Sequence, residues 1–255
     1  MVLARLFARR ADDAPAERHV PADTRVYAVG DIHGRVDLLE RLAIRIKLDA
    51  KNSDAARKVL VFLGDYVDRG FNSKDVLDFL IEHEFEDFET HFLLGNHEQW
   101  MLQFLDDVEI GSNWLAYGGD ATLHSYGVRI EPLAPLEDEL PIAQRNLRIA
   151  LPKAHLDFLE RLKLTHQEGD YLFVHAGIRP GVPLELQKLT DLLWIRNQFL
   201  ESDTEHGFCV VHGHTVTSAP DVHKNRIGID TGAFASGILT ALVLEGDEQR
   251  FLQTD

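Results

Sequence analysis

Val59-Leu60-Val61-Phe62-Leu63-Gly64-Asp65-Tyr66-Val67-Asp68-Arg69-Gly70 is the stretch on which the architecture turns. Five consecutive apolar residues ending at a glycine read as a strand buried on both faces. Asp65, Asp68 and Arg69 then stand between two glycines, and Asn72 or Ser73 caps a helix with Val76, Leu77, Leu80 and Ile81 on one side. The pattern recurs upstream. Arg25-Val26-Tyr27-Ala28-Val29 runs into Gly30-Asp31-Ile32-His33-Gly34, and Leu38, Leu39, Leu42, Ala43 and Ile46 mark a helical face. It recurs downstream in His91-Phe92-Leu93-Leu94, then Gly95-Asn96-His97-Glu98, then a helix with Trp100, Met101, Phe104 and Leu105. Three strand–loop–helix units in series predict an α/β fold with parallel pairing. In such sheets ligands bind beyond the carboxyl ends of the strands, where all three polar clusters fall.

Farther out, the pattern changes. Residues 107–168 hold helical stretches at 141–163, an acidic patch at 137–139 and several prolines, and are expected to form a mostly helical insertion covering the strand ends. Trp114-Leu115-Ala116-Tyr117-Gly118-Gly119-Asp120 reads as a loop feeding a short helix. Trp114 and Tyr117 could line a nucleotide or peptide pocket, with core packing as the ordinary alternative. Strands resume at Tyr171-Leu172-Phe173-Val174 before His175, and at Cys209-Val210-Val211 before His212-Gly213-His214. The remainder (226–229, 238–244 and 250–252) reads as closing strands, some of them antiparallel. Residues 1–24 are expected to be an arm preceding a single domain at 25–255.

Bulk properties narrow the function. The chain has 255 residues, 45% hydrophobic and 27% charged, which suffices for a real core. A net charge of −16 repels nucleic-acid phosphates, so nucleic acid is not an expected partner. The apolar run at the start is broken by Arg5, and no stretch nears the ~20 apolar residues a membrane span needs. Stable membrane association is not expected, and the oligomeric state is open. Cys209 is the sole cysteine, so no intramolecular disulfide can form and a cytoplasmic setting is the default expectation.

Asp31, His33, Asp65, Asn96, His175 and His214 all sit at strand ends. Singly, each has an ordinary explanation as a turn, a cap or a satisfied histidine; their joint occurrence at successive strand ends does not. Oxygen and imidazole donors without thiolate suit manganese, iron, zinc or cobalt. Six ligands exceed what one ion with open positions needs, and they fit two ions sharing Asp65. Two ions about 3.5–4 Å apart clamp the attacking and leaving oxygens of an in-line displacement. They also lower the pKa of a bound water, giving hydroxide at neutral pH.

With these residues in place, the chain resembles the calcineurin-like metallophosphoesterases. Within them it is most similar to the serine/threonine phosphoprotein phosphatases of lambda phage and bacteria. The resemblance rests on Gly30-Asp31-Ile32-His33-Gly34, Gly64-Asp65-Tyr66-Val67-Asp68-Arg69-Gly70, Gly95-Asn96-His97-Glu98, His175-Ala176-Gly177 and Gly213-His214-Thr215. It implies a central β-sandwich flanked by helices. It assigns Asp31, His33 and Asp65 to a first ion, and Asp65, Asn96, His175 and His214 to a second. Two divalent ions per chain are implied, manganese foremost, with iron, zinc, cobalt or nickel compatible. Arg69 and Arg196 would grip phosphate oxygens, a surface ion pair being the ordinary alternative for Arg196. His97 would protonate the leaving alkoxide, oriented by Asp68.

Many relatives carry a second histidine in Gly-His-x-His, where this chain has Val216. That departure disfavours nuclease, purple acid phosphatase and cyclic-nucleotide phosphodiesterase readings. His212 is expected to face away from the ions, with at most an indirect role. The expected activity is hydrolysis of phosphoprotein or small phosphate-ester substrates. Symmetrical diadenosine tetraphosphatase is the alternative; those enzymes tend to lack the counterpart of Asp68 and carry Asp in place of Glu98. A non-catalytic metal-binding interaction module is a more remote one.

Overall fold

The computed structural model describes residues 18–82 and 85–254. Most of the expected N-terminal arm lies outside them. Residues 18–23 are described, and Val20 is buried against the strands (4% exposed).

Among the described residues, ten strands form two five-stranded sheets. In chain order they are β1 (Thr24–Val29), β2 (Arg57–Phe62), β3 (Glu89–Phe92), β4 (Thr165–Glu168), β5 (Tyr171–Val174), β6 (Cys209–His212), β7 (Asp221–Val222), β8 (Arg226–Gly228), β9 (Thr240–Glu245) and β10 (Glu248–Gln253). The first sheet has the order β10-β9-β1-β2-β3 and the second β4-β5-β6-β8-β7. Strands β1, β2 and β3 are parallel, as their crossover helices require, while β9 and β10 close that sheet antiparallel. Strand β8 lies antiparallel to β7 and parallel to β6, so its end joins the same rim.

The apolar run at 59–63 is explained by its two faces. Val59, Val61 and Leu63 face Tyr171, Phe173, Cys209, Val211 and Ile227 across the sandwich. Leu60 and Phe62 point outward to the helical layer. That layer holds α1 (Val36–Lys51), α2 (Ser73–Glu82) and α3 (Asn96–Asp106). Helix α1 buries Leu38, Leu39, Leu42, Ala43 and Ile46, the predicted face. Truncating one such leucine to alanine costs roughly 2–5 kcal/mol.

The region after α3 is helical: α4 (Gly111–Trp114), a π-turn at Leu115–Gly119, α5 (Asp120–Ser125), α6 (Leu136–Ala150) and α7 (Lys153–Leu159). The stretch 114–120 is thus wound, not looped, and breaks only at Gly118 (φ 104°). The expected boundary at 168 runs too far, because Thr165–Glu168 is strand β4 of the second sheet. Three short helices, α8 (Leu189–Trp194), α9 (Asn197–Leu200) and α10 (Ala233–Ser236), complete the chain. No described helix is long and apolar enough to cross a membrane.

Candidate metal centre

The loops after β1, β2 and β3 are laced together by backbone. Ile32 and His33 donate N–H bonds to the Asp65 carbonyl at 3.0 and 2.9 Å, and Gly34 donates to that of Tyr66 at 2.8 Å. Gly64 touches Gly95 so closely that a Cβ on Gly64 would lie 2.6 Å from the Gly95 nitrogen. Five of the six described non-glycine residues with positive φ are His33, Asp65, Asp68, Arg69 and His214. Each such conformation costs on the order of 1–3 kcal/mol and persists only where neighbours enforce it.

Within this frame the predicted donors converge. One donor atom each from His33, Asp65 and His97 lies within 4.8 Å of the others, as does one each from Asp65, His175 and His214. Asp65 belongs to both groups: Oδ2 is 3.5 Å from His33 Nε2, and Oδ1 is 3.4 Å from His175 Nε2. The Asn96 Oδ1 atom lies 2.8 Å from His175 Nε2 and 2.8 Å from His214 Nδ1. Asp31 falls in neither three-residue group and adjoins them through Oδ2, which accepts the His214 N–H at 3.0 Å.

The protonation pattern suits cation binding. His33 Nδ1 meets the Val67 carbonyl at 2.8 Å and His175 Nδ1 meets that of Leu63 at 2.9 Å. Each Nδ1–H therefore donates outward, leaving the Nε2 lone pair turned inward. Burial pushes His33 down to about 3 and also lowers His175 and His214. Burial opposes ionisation of Asp65, yet its carboxyl is held low, and with His33, His175 and His214 neutral the opposing charge is that of His97. Inward lone pairs then face amide and carboxylate oxygens, an arrangement of acceptors that a cation relieves. Asp31 Oδ1, His33 Nε2 and His214 Nε2 are buried without a hydrogen-bond partner among the described residues, which fits the same role.

Beside the donors stands a proton-bearing pair. His97 Nδ1 is 2.7 Å from Asp68 Oδ2, and His97 Nε2 is 3.9 Å from Asp65 Oδ2. Burial would lower the His97 imidazole, but Asp65 and the Asp68 hydrogen bond prevail and raise it. Asp68 is clamped by Trp114 Nε1–H at 2.8 Å and the Thr122 hydroxyl at 2.6 Å. Arg69 Nη2 lies 3.3 Å from His97 Nε2, and its guanidinium sits 4.7 Å over the Phe234 ring. Arg196 stands by the other group, its Nη1 donating to the His214 carbonyl and the Thr215 hydroxyl at 3.1 Å each.

The sequence profile of calcineurin-like phosphoesterases matches residues 24–233. The chain belongs to that family. It is 31% identical over 185 residues to a symmetrical bis(5'-nucleosyl)-tetraphosphatase of Nitrosospira multiformis, a match covering 72% of this chain and 54% of that protein. The chain thus spans about half the length of that relative. It is 27% identical over 224 residues to serine/threonine-protein phosphatase 2 of Escherichia coli, covering 84% of this chain and 90% of that one. Among solved structures, a candidate diadenosine tetraphosphatase shares the fold, with a TM-score of 0.60 and 20% identity, covering 93% of this chain and 99% of that one.

Three features of this phosphoesterase escaped the sequence reading. Glu98 accepts N–H bonds from Asp65 (2.8 Å), Gly95 (3.0 Å), Tyr66 (2.7 Å) and Val67 (3.1 Å). Burial, then Asp65, pushes its carboxyl up to about 8, yet all four partners are donors, so the ionised form is the one that fits. Trp114 is fully buried in the core, as the packing alternative has it, and what was missed is the bond its indole N–H makes to Asp68. Exposed Tyr117 instead leads an aromatic row with half-buried Trp100 and Trp194, with ring centroids 4.9 Å (Tyr117–Trp100) and 4.5 Å (Trp100–Trp194) apart. The third is Asp230, whose signal was legible. Ile229-Asp230-Thr231-Gly232 repeats the strand–carboxylate–glycine pattern of the earlier strand ends. His212 packs against Phe199 at 5.2 Å and is absent from both donor groups.

Proposed function

We propose that this phosphoesterase is a dinuclear-metal phosphomonoesterase acting on phosphoserine and phosphothreonine in proteins. Asp31, His33 and Asp65 would hold one ion, and Asp65, Asn96, His175 and His214 the other. When bound, the ions would activate the attacking water and draw charge from the phosphoryl oxygens. Arg69, beside His97, and Arg196, beside His214, would grip the remaining phosphate oxygens, a task suited to a guanidinium fork. His97 Nε2 would deliver its proton to the leaving oxygen, while Asp68 keeps the ring charged and oriented.

The observation that carries the reading is the clamped His97–Asp68 pair. The alkoxide of serine or threonine is a poor leaving group and needs a proton in the transition state. A nucleotide leaving a phosphoanhydride needs little such help. The similarity to a bis(5'-nucleosyl)-tetraphosphatase supports dinucleoside polyphosphate hydrolysis as the second reading.

One set of assays tests both. With manganese supplied, phosphoserine and phosphothreonine peptides should be turned over faster than phosphotyrosine peptides or diadenosine tetraphosphate. His97→Ala should slow alkyl phosphates by about 10²–10⁴-fold and aryl phosphates far less. Equal losses on both ester types would remove the general-acid role, and a preference for the dinucleotide would establish the second reading.

A further inference from the structure

The end of β8 carries a carboxylate that has no part in the six-residue ligand set. Asp230 is 1% exposed, buried as deeply as Asp31 and Asp65. Its Oδ1 accepts the Gly232 N–H at 2.9 Å, and its Oδ2 is buried with no hydrogen-bond partner among the described residues. The Asp31 carboxyl at the neighbouring strand end has an oxygen, Oδ1, that is likewise buried and unpartnered among the described residues. Backbone contact imposes this closeness. A Cβ on Gly30 would lie 3.2 Å from the Ile229 carbonyl carbon, so the two strand ends run against each other just before their carboxylates. The Asp230 carbonyl accepts the Thr217 N–H at 3.0 Å, which ties it to the segment following His214.

Like charges in a buried space repel strongly, and burial alone does not explain why both are acids. Three buried carboxylates at the strand ends, two of them with an unpartnered oxygen, make a place for positive charge that the described residues do not fill.

We propose that Asp230 is a further carboxylate of the ion site at Asp31 and His33, and that its charge tightens binding of that ion. This rests on the reading that Asp31, His33 and Asp65 hold an ion. Asp230 is a positioning residue here. It acts on the ion through Asp31 and the space beside it, and the chemistry at phosphorus remains with the groups already named.

Asp230→Asn tests the inference, because the amide keeps Oδ1 for the Gly232 N–H and loses the charge. Asp230→Ser, which also keeps an acceptor, serves if the amide does not fold. Metal-free protein is titrated with Mn2+ while free Mn2+ is followed by electron paramagnetic resonance, and its thermal unfolding is recorded separately. Wild type should bind two ions. The Asp230 variant should bind one about 10–100-fold more weakly, the range seen when outer partners of a metal site are lost. The weakened ion should be the one that Asp31→Asn also weakens. Without metal, the variant should melt higher than wild type, since a repulsion has been removed; a purely structural Asp230 would make it melt lower. Unchanged affinities, weakening of the other ion, or a lower metal-free melting temperature would each overturn the inference. Wild type that binds no Mn2+ would instead defeat the ion-site reading itself, and this inference with it.

Discussion

At the scale of single residues, the protonation state of His97 decides catalysis under the proposed mechanism. It must carry a proton to act as an acid, so activity should fall as pH rises through its pKa. The neighbouring carboxylates raise that pKa, which extends the active range upward. Asp68→Asn removes one of them and should move the alkaline limb of the kcat profile to lower pH, with a loss in rate of up to about 10²-fold. An alkaline limb that stays in place would show that Asp68 does not set the His97 pKa. The same logic separates His97 from the donors around it. His33, His175 and His214 are all shifted toward the neutral form, as ligands need to be, and His97 alone among these imidazoles is shifted toward the charged one.

At the scale of elements, the turn between α4 and α5 builds the phosphate side of the site. Gly118 has φ 104°, and its carbonyl accepts the Arg69 N–H at 3.0 Å. A Cβ there would stand 2.8 Å from both the Arg69 nitrogen and its Cγ. Gly118→Ala should therefore displace Arg69 and leave the donors around Asp65 in place. The expected outcome is a loss in kcat/KM of about 10²-fold with the Mn2+ stoichiometry of wild type. Loss of bound metal would mean that the turn supports the whole centre, not only the arginine. Helix α3 plays the matching part on the metal side. Its first turn places Asn96 and His97 in the site and folds Glu98 back to gather the N–H groups of the Asp65 loop.

Across the whole molecule, the two sheets are joined at one edge by a second histidine cluster that resembles a metal site and is not built as one. His91 of β3 and His166 of β4 stack with ring centroids 3.6 Å apart and planes 22° from parallel. An ion lies in the plane of every imidazole that binds it, and such planes do not meet within bonding distance of about 2 Å. Instead, His91 pairs with Glu89, His166 pairs with Glu168, and Arg57 binds both glutamates, with Lys163 at His91 Nδ1. Burial lowers both imidazoles, helped for His91 by His166 and Lys163. In the unfolded chain they would titrate near pH ~6.5. Below that pH the unfolded state binds more protons, so this contribution to stability is complete above ~6.5 and is lost as pH falls. His166→Phe keeps a ring to stack and removes a titrating group, so its melting temperature should decline less between pH 7 and pH 5 than that of wild type. An identical decline would place the acid sensitivity elsewhere.

What the amino-acid sequence determined by itself was local. Apolar runs marked β1, β2, β3, β5 and β6, the first three ending in glycine, and a polar residue just after each run was already a candidate donor. Strand period and turn chemistry act within a few residues, so they are legible without coordinates. The tertiary structure decided which loops lie side by side. Trp114 and Thr122 reach Asp68 across 46 and 54 residues of chain, and Glu98 reaches back 33 to Asp65. It also set β8 parallel to β6, which carries Asp230 to the rim beside Asp31. The left-handed conformations of His33, Asp65, Asp68, Arg69 and His214 belong to this second class. Aspartate and histidine enter this region more readily than most residues, but the five are held there by hydrogen bonds and contacts that exist only once the strands have been brought together.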